Sequence, residues 1–188
     1  GSHEQPKAVS NLWQHILFIK CETCINNYSM AQQFKIQQIG FIQKTSDYKI
    51  SIDKVYRNGL VNLKEFSHLQ ILWWAHLSDG DKERFRLTLG KLFKKGPERM
   101  GIFSTRAPVR PNPIMVSTIK VSGLNIEKGI IQTPFIDAEP GSPVLDIKPY
   151  YSMERVRDCK VPEWCEHWPE WQEDAMQYDW SQEMNQLR

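Results

Sequence analysis

Hydrophobic and polar residues alternate along the middle of the chain, which predicts β-strands. Residues 34–42 alternate roughly as a half-buried strand, and residues 48–56 place Tyr48, Ile50 and Ile52 on one face. Further short apolar runs bounded by turn residues predict three more strands, at residues 116–121, 129–135 and 143–147. Strands at short intervals with little helix between them predict an all-β barrel or sandwich.

The longest apolar run, residues 66–77, predicts a strand that is buried on both faces. Within it, His68 is expected to be a hydrogen-bonded core histidine. Trp73 and Trp74 are expected in the core, although consecutive strand residues point in opposite directions. Near the start of the chain, the apolar spacing in residues 11–29 is compatible with one short amphipathic helix.

Length and composition describe an ordinary globular protein with many loops. The chain has 188 residues, of which 40% are hydrophobic, with 11 prolines and 10 glycines, enough for one domain with its own core. No apolar run is long enough to span a membrane, and no secretory signal pattern is present, so we expect a cytoplasmic protein. Residues 1–3, Gly-Ser-His, resemble the remnant of an expression tag.

The net charge of +2 conceals an asymmetry along the chain. Residues 1–150 carry a balance of +7, whereas residues 151–188 carry −5. The basic excess is concentrated in residues 82–99, which form either a solvated connector or a surface that follows a phosphate backbone. The basic side chains of this stretch are Lys82, Arg84, Arg86, Lys91, Lys94, Lys95 and Arg99.

The four cysteines form two pairs in sequence, Cys21 with Cys24 and Cys159 with Cys165. Paired thiolates can close a tetrahedral zinc site, but the second pair is loosely spaced. Free thiols in a reducing compartment are therefore the favoured interpretation, and we predict no metal site.

A loop rich in proline and arginine carries the strongest local signal. Residues 107–113 contain three prolines, each of which fixes φ and removes a backbone donor, so helix and central strand are excluded there. The resulting stiff loop presents Arg106, Arg110 and Asn112 in fixed directions. Forked cationic donors on a stiff loop suit an anionic ligand, and a solvated surface loop is the alternative.

This loop and a second segment, residues 136–150, resemble the TrmO family of S-adenosylmethionine-dependent methyltransferases. The family carries an FATR-like run, an RPNPI loop and a D-x-x-DGTPVLDIKPY-like close. The matching residues occur here in the same order: Ile39-Gly40, Phe66-Ser67-His68-Leu69, Phe103-Ser104-Thr105-Arg106, Arg110-Pro111-Asn112-Pro113-Ile114 and Gly141-Ser142-Pro143-Val144-Leu145-Asp146-Ile147-Lys148-Pro149-Tyr150. These runs make four ordered matches when the two within residues 103–114 are counted as one segment, and together they are far more specific than any single short motif.

The resemblance implies a mainly β protein: one small antiparallel β-barrel domain with short helices, spanning residues 30–150 and usually forming a homodimer. Residues 1–29 are then an N-terminal extension, and residues 151–188 form an irregular, acidic, tryptophan-rich tail. The implied reaction is N6-methylation of threonylcarbamoyladenosine at position 37 of tRNA. The implied cofactor is S-adenosyl-L-methionine, and tRNA is the implied partner.

The resemblance also implies site residues, but it identifies no catalytic base. Those implied to hold the cofactor are His76, Leu77, Arg106, Val116, Phe135, Ile136 and Asp137. Those assigned to the substrate mouth are Arg110, Asn112, Lys148 and Tyr150. Asp146 and Lys148 are two apart in a predicted strand and are expected to pair with each other, which makes a structural role for Asp146 more probable than a general base.

The chain also departs from the family pattern. The region from Lys44 to Glu65 lacks the longer insert that family members carry, Pro140 stands in place of an aspartate, and Ser142 stands in place of a threonine. These departures, with the acidic tail, leave two alternatives open: a small-molecule acceptor, or a binding module without turnover. In the tail, the tryptophan rings are expected either to cap the barrel against a partner, which we favour, or to stack on a planar ligand; they are Trp164, Trp168, Trp171 and Trp180.

Overall fold

The computed structural model describes residues 33–185, and the compact unit considered below begins at Ile36. As expected, the unit is mainly β, and all its strand pairs are antiparallel. The strands are β1 Gly40–Lys44, β2 Tyr48–Ile52, β3 His68–Trp74, β4 Thr88–Gly90, β5 Arg99–Gly101, β6 Ile114–Lys120, β7 Gly123–Asn125, β8 Ile130–Thr133 and β9 Pro143–Pro149.

The helical segments are short. Helices α1, Asp81–Arg84, and α2, Gln172–Ala175, have four residues each. The 3-10 turns are Lys54–Leu60, Leu63–Glu65, His76–Ser78, Ile102–Ser104, Ser152–Glu154, Glu163–Cys165 and Trp180–Gln182. None of the helices in residues 33–185 has the length and apolar character needed to cross a bilayer.

Seven strands form one sheet in the order β6-β3-β9-β1-β2-β8-β7, while β4 and β5 form a separate hairpin. Every second residue of the long strands points to one side, where these side chains form a single apolar cluster. Because the helices are too short to form a covering layer, the sheet encloses this cluster by curling around it. The strand residues at its centre are Ile42, Ile50, Ile52, Leu69, Ile71, Trp73, Ile119, Ile131 and Val144.

The curl brings β6 alongside the end of β8 and the loop that follows it. Ser117 Oγ donates to Asp137 Oδ1, and the Ser122 amide donates to the Gln132 carbonyl at 2.9 Å. Strands β6 and β7 nevertheless remain the two edges of the sheet. Within residues 33–185 the strands therefore form an open curled sheet, and its closure into a barrel stays a prediction.

The predicted strands at residues 34–42 and 48–56 are only partly right. The first begins at Gly40, where pairing with Val144 becomes possible, and the second ends at Ile52 because a 3-10 turn starts two residues later. The shared inward face of β2 is confirmed, because Ile50 and Ile52 are buried and Tyr48 packs against the core.

Burial of β3 on both faces was a wrong prediction. Its residues alternate between buried and half-buried, because the outer face is covered in part: Gln70 donates to Glu154 Oε2, and the Arg84 guanidinium lies over the Trp74 ring. Trp73 points into the core and Trp74 points away from it, as the alternation requires. His68 lies on the outer face with its Nδ1 2.9 Å from Ser67 Oγ, so it is not a core histidine.

The tail packs against the segment between β4 and β5. We call residues 91–96 together with residues 163–185 the aromatic module. Phe93 stacks on Trp164 at 5.1 Å between ring centroids, and Trp168 meets both rings edge-on. The Asn185 amide donates to the Leu92 carbonyl at 2.9 Å. Trp164 and Trp168 thus pack against Phe93, in the segment between β4 and β5 of their own chain.

Several predictions fall outside the residues that the structure describes. They concern the extension at residues 1–29, its amphipathic helix at residues 11–29, and the pair Cys21 and Cys24. The proposed domain boundaries likewise remain predictions.

Candidate functional site

Three loops meet at one end of the curled sheet, which we call the site end. Strand β3 runs between β6 and β9 and is antiparallel to both, with Trp74 opposite Ile114 and Trp73 opposite Val144. The end of β3 therefore lies beside the beginnings of β6 and β9. This topology gathers three loops at the site end, at residues 75–80, 105–113 and 134–142.

Asp137 is held beside β6 by a chain of hydrogen bonds that starts in the core. The indole Nε1 of Trp73 donates to Ser117 Oγ at 2.8 Å, and that hydroxyl donates in turn to Asp137 Oδ1. Trp73 and Ser117 are buried, whereas Asp137 is exposed. The carboxylate is therefore fixed in position while remaining accessible to a ligand.

Arg106 is bound to the free edge of β6, at the residue before Ser117. Alternate residues of β6 bond to β3, so the carbonyl of Val116 points towards the edge of the sheet. The Arg106 guanidinium donates to that carbonyl at 2.5 Å through Nη2 and remains exposed. Arg106, Val116 and Asp137 thus come together around two consecutive residues of β6.

The stiffness expected of the proline loop comes partly from its own hydrogen bonds. Arg110 Nη1 donates to the Ala107 carbonyl at 3.3 Å and more weakly to the Thr105 carbonyl at 3.5 Å. The Ala107 amide donates back to Thr105 Oγ1 at 3.2 Å. Asn112 is exposed, and its carbonyl accepts from the Ile114 amide at 2.7 Å. Arg110 therefore stabilises the loop that was expected to present it to a ligand.

A second support reaches the same loop from α1. Arg84 donates to the Pro111 carbonyl at 3.3 Å and to Asp79 Oδ1 at 2.5 Å, and Trp74 Nε1 donates to Asp79 Oδ2 at 2.8 Å. The hydrogen bond from Arg84, with a smaller contribution from Trp74, holds the pKa of Asp79 below its usual value. Asp79 is thus an ionised anchor for the arginine that supports the loop.

His76 supports the opposite side of the site end. Its Nδ1 lies 3.2 Å from the Oγ of Ser142, a residue with no exposed surface. The preceding residue, Gly141, has φ of 89°, a left-handed conformation that other residues adopt only with strain. Leu77, next to His76, is 72% exposed. His76 therefore anchors the loop that carries Asp137, and Leu77 is open to a ligand.

Phe135 and Ile136 have different surroundings although they are neighbours. Phe135 is 47% exposed and meets Tyr48 edge-on at 6.0 Å between ring centroids. Ile136 is 1% exposed and belongs to the apolar core, so only its backbone can meet a ligand. The phenyl ring of Phe135 is the exposed aromatic surface of this loop, and it is turned towards the start of β3, because it lines a cavity of about 100 Å³ with His68 and Lys120.

The predicted substrate mouth is not assembled within one chain. Lys148 pairs with Gln70 in the β3–β9 ladder, and the Tyr150 amide donates to the His68 carbonyl at 3.1 Å, so both lie at the start of β3. Arg110 and Asn112 precede β6 at the other end of β3, about 13 Å from Gln70 and about 20 Å from His68 along the strand. The expected ion pair is confirmed, because Lys148 Nζ lies 2.7 Å from Asp146 Oδ2.

Sequence reasoning missed several residues that hold the site. They are Trp73 and Ser117 beside Asp137, Ser142 beside His76, and Arg84 with Asp79 beneath the proline loop. A serine at an inward position of a predicted strand was the one available signal, because a buried hydroxyl requires a partner. The identity of that partner depends on contacts that are distant in sequence.

Three cations of the basic stretch are engaged by the protein itself. Arg84 pairs with Asp79, Lys91 Nζ lies 2.6 Å from Glu98 Oε1, and Lys94 Nζ donates to the Ser181 carbonyl at 2.9 Å. The interpretation of the stretch as a phosphate surface remains a prediction.

The described residues contain no group of three or more histidine, cysteine, aspartate or glutamate side chains arranged to hold a metal. Cys159 is an exposed free thiol. Cys165 is buried and also free, and this burial raises the pKa of its thiol.

Comparison with known proteins gives a consistent picture. The family model described as tRNA-methyltransferase O N-terminal domain matches residues 26–154. A probable S-adenosyl-L-methionine-binding protein of Pyrococcus horikoshii is 35% identical over 117 residues, which cover 62% of this chain and 82% of the relative. An S-adenosyl-L-methionine-binding protein of Archaeoglobus fulgidus is 34% identical, over 54% of this chain and 68% of the relative.

Solved structures agree in fold. The crystal structure of TrmO from Pseudomonas aeruginosa has a TM-score of 0.55 and 23% identity, and the match covers 72% of this chain and 63% of that one. A second TrmO crystal structure has a TM-score of 0.54, with 69% of this chain and 64% of the other covered. The chain therefore spans somewhat less than two thirds of the solved structures that it resembles.

Proposed function

Because the chain belongs to the tRNA-methyltransferase O N-terminal domain family, we propose that it is an S-adenosylmethionine-dependent methyltransferase. The proposed acceptor is N6 of threonylcarbamoyladenosine at position 37 of tRNA. The observation that supports this proposal most directly is that an exposed guanidinium, from Arg106, and an exposed carboxylate, from Asp137, are bonded to consecutive residues of β6.

The residues at the site end fit the chemistry of this cofactor. When bound, S-adenosylmethionine supplies the methyl group. Its methionyl part has both an ammonium and a carboxylate, which Asp137 and Arg106 can pair with respectively. The exposed ring of Phe135 offers a surface for adenine. His76, Leu77, Val116 and the backbone of Ile136 complete the proposed set.

The main contribution of the protein is positioning. Trp73 and Ser117 hold the Asp137 carboxylate from the core side, so a bound ligand meets a prearranged acceptor. Arg110 uses Nη1 to bond its own loop, which leaves its other guanidinium nitrogens to hold the carboxylate of the modified base. Asn112, exposed on the same loop, offers a further polar contact to that base.

The assembly implied by the family is part of the proposal. We propose that the curled sheet closes into a barrel and that two chains form a homodimer. In such a dimer, Lys148 and Tyr150 of one chain have the opportunity to reach the site end of the other. Light scattering after size-exclusion chromatography measures the mass directly, and a mass of one chain at micromolar concentration would contradict the dimer.

Titration calorimetry with S-adenosylmethionine tests the cofactor site. We expect micromolar binding for the wild type and at least about tenfold weaker binding for Arg106→Ala and Asp137→Asn, since each loses a charge-assisted contact. Arg157→Ala, which removes an exposed arginine from the tail, is the matched control and should bind as the wild type does. Absence of heat with folded wild-type protein would sink the proposal.

A small-molecule acceptor is the second candidate, favoured by the position of the acidic tail. Phe135 of the site end and Glu173 of α2 line the same cavity of about 100 Å³. A carboxylate there repels nearby phosphates. Transfer of labelled methyl to a small acceptor but not to tRNA would favour this candidate, whereas cofactor binding without any methylated product would indicate a module without turnover.

A further inference from the structure

A concave groove lies on the outer face of the sheet, away from the site end. It has a volume of about 600 Å³ and is formed by β1, β2, β7, β8 and the turn between the last two. Among its lining residues are two lysines, Lys49 and Lys128, and no aspartate or glutamate. Its volume is within the range of ligand sites, about 300–1,000 Å³.

The strand register explains why the polar side chains of the groove face the same way. Gln43, Lys49 and Gln132 are directly opposite one another on three adjacent strands, so they form one row across the sheet. Asn125 extends the surface from the next row, opposite Ile130. Gly123 lies opposite Gln132 on β7. A Cβ at residue 123 would lie 2.2 Å from Gln132 Oε1, so the glycine leaves room for the side-chain amide of Gln132.

The hydrogen bonds within the groove leave donors available. Gln43 Oε1 accepts from Ser51 Oγ at 2.9 Å, and Asn125 Oδ1 accepts from the Lys128 amide at 2.8 Å. Because these carbonyl oxygens are used, both side chains offer their NH₂ groups. Within residues 33–185, neither Lys49 nor Lys128 forms an ion pair. The groove therefore presents ammonium and amide donors, the complement of an anionic ligand rich in acceptors.

The groove ends one ladder step from an aromatic pair that lies on the inner face of the sheet, at the rim formed by Lys44, Tyr48 and Thr133. The pair Lys49–Gln132 is followed along the ladder by Tyr48 opposite Thr133, and Tyr48 contacts Phe135. Lys44 lies over the Tyr48 ring at 4.9 Å from its centroid. Cations that follow a backbone, next to aromatic rings, are typical of single-stranded nucleic-acid sites.

We propose that this groove binds the sugar-phosphate backbone of an unpaired RNA segment, which then passes over the rim at Tyr48 towards Phe135. The inference rests on the proposed action on tRNA and adds where the RNA lies. The basic stretch of residues 82–99 is the competing surface, but three of its cations are already engaged by Asp79, Glu98 and the tail. The other cations of the stretch form no ion pair among the described residues, as is also true of Lys49 and Lys128. The groove is favoured because it is concave and has no carboxylate in its lining, whereas Glu83 and Glu98 lie within the basic stretch.

Fluorescence anisotropy with a labelled tRNA anticodon stem-loop, measured at several salt concentrations, tests the groove. The double variant Lys49→Gln/Lys128→Gln should bind at least about tenfold more weakly, and the slope of log K against log salt should fall by about 2, one unit for each lost phosphate contact. Lys64→Gln/Lys160→Gln removes two lysines that are exposed elsewhere and should leave both quantities unchanged. A second variant, Gln132→Glu, places a carboxylate in the row and should weaken RNA binding while the melting temperature stays that of the wild type.

Calorimetry with S-adenosylmethionine on the same variants separates this inference from the proposed function. Unchanged cofactor affinity with weaker RNA binding supports the groove, even if methyl transfer to tRNA is never observed. RNA binding equal to the wild type in both groove variants overturns the groove and leaves the methyltransferase proposal standing. A wild-type protein that does not bind the stem-loop also overturns the groove.

Discussion

The curled sheet and the aromatic module are stabilised by different interactions. The centre of the sheet is almost purely aliphatic, and Ile42, Ile50 and Ile71 have no exposed surface. The module encloses a carboxylate, Glu183, which is only 4% exposed. Aliphatic burial is insensitive to pH, whereas a buried carboxylate stabilises only while its partners are present and it is ionised. The stability of the tail can therefore depend on pH in a range where the stability of the aliphatic core of the sheet does not.

Glu183 is satisfied by three donors from its own module. His167 Nε2 lies 2.9 Å from Oε1, the Tyr178 hydroxyl donates to Oε1 at 2.9 Å, and Trp168 Nε1 donates to Oε2 at 3.2 Å. These bonds, that of His167 most of all, lower the pKa of Glu183 to about 2, and the same carboxylate raises the pKa of Tyr178. Most of the module lies beyond residue 154, where the family match ends.

The largest expected effect is on the sheet. Ile71→Ala removes buried methylene and methyl groups from a central strand and should lower the free energy of unfolding by about 2–5 kcal/mol. Urea denaturation followed by circular dichroism measures the change. Val55→Ala, at a position that is 81% exposed, is the control and should change stability by less than about 0.5 kcal/mol.

A smaller, local effect is expected from Glu183→Gln. The substitution keeps the size of the side chain but removes its charge and one of its two acceptors, so at least one buried donor loses its partner. Hydrogen exchange should become at least about tenfold faster at the Asn185 amide, which bonds Leu92, and should stay unchanged at the Ile50 amide in β2. Equal acceleration at both positions would remove the distinction between the two regions.

The same contrast predicts a pH dependence of the module. Because the pKa of Glu183 is about 2 in the folded state, below its ordinary value of 4.5, its contribution is complete above about pH 4.5 and is lost as the pH falls towards 2. Tryptophan fluorescence of the wild type should change over this interval before the sheet unfolds. In Glu183→Gln, the part of that change due to the module should be absent, whereas the part due to Trp74, which bonds Asp79, should remain.

The smallest effect is expected for an ion pair that water already surrounds. Lys148 and Asp146 form such a pair on β9, with side chains 57% and 47% exposed. Lys148→Ala should therefore change the free energy of unfolding by less than about 1 kcal/mol. A larger decrease in the free energy of unfolding, measured by urea denaturation, would mean that exposed charges on the sheet stabilise the protein as much as the buried charge in the module does.

The sequence predicted the fold better where alternation was long. The inward face of β2 follows from its period-2 pattern, short apolar runs bounded by turns indicate the positions of β6, β8 and β9, and a protein of mainly antiparallel strands was expected. Strands β4, β5 and β7 have three residues each, too few for any pattern to be visible. Their existence depends on partners that are remote in sequence.

For the site, motif resemblance identified side chains but not their surroundings. It indicated Arg106 and Asp137, which the structure brings together beside β6. It also grouped Lys148 with Arg110, although the ladder register places them at opposite ends of β3. Register is a property of paired strands, so no local motif reveals it.

The most direct test of the proposed function is the product itself. Purified protein is incubated with S-adenosylmethionine and total tRNA from a strain lacking the modification, and the digested nucleosides are analysed by mass spectrometry. We predict threonylcarbamoyladenosine with one added methyl group, formed by the wild type and strongly reduced with Arg106→Ala. Cofactor binding by calorimetry with no methylated threonylcarbamoyladenosine in the digest would contradict the proposed reaction.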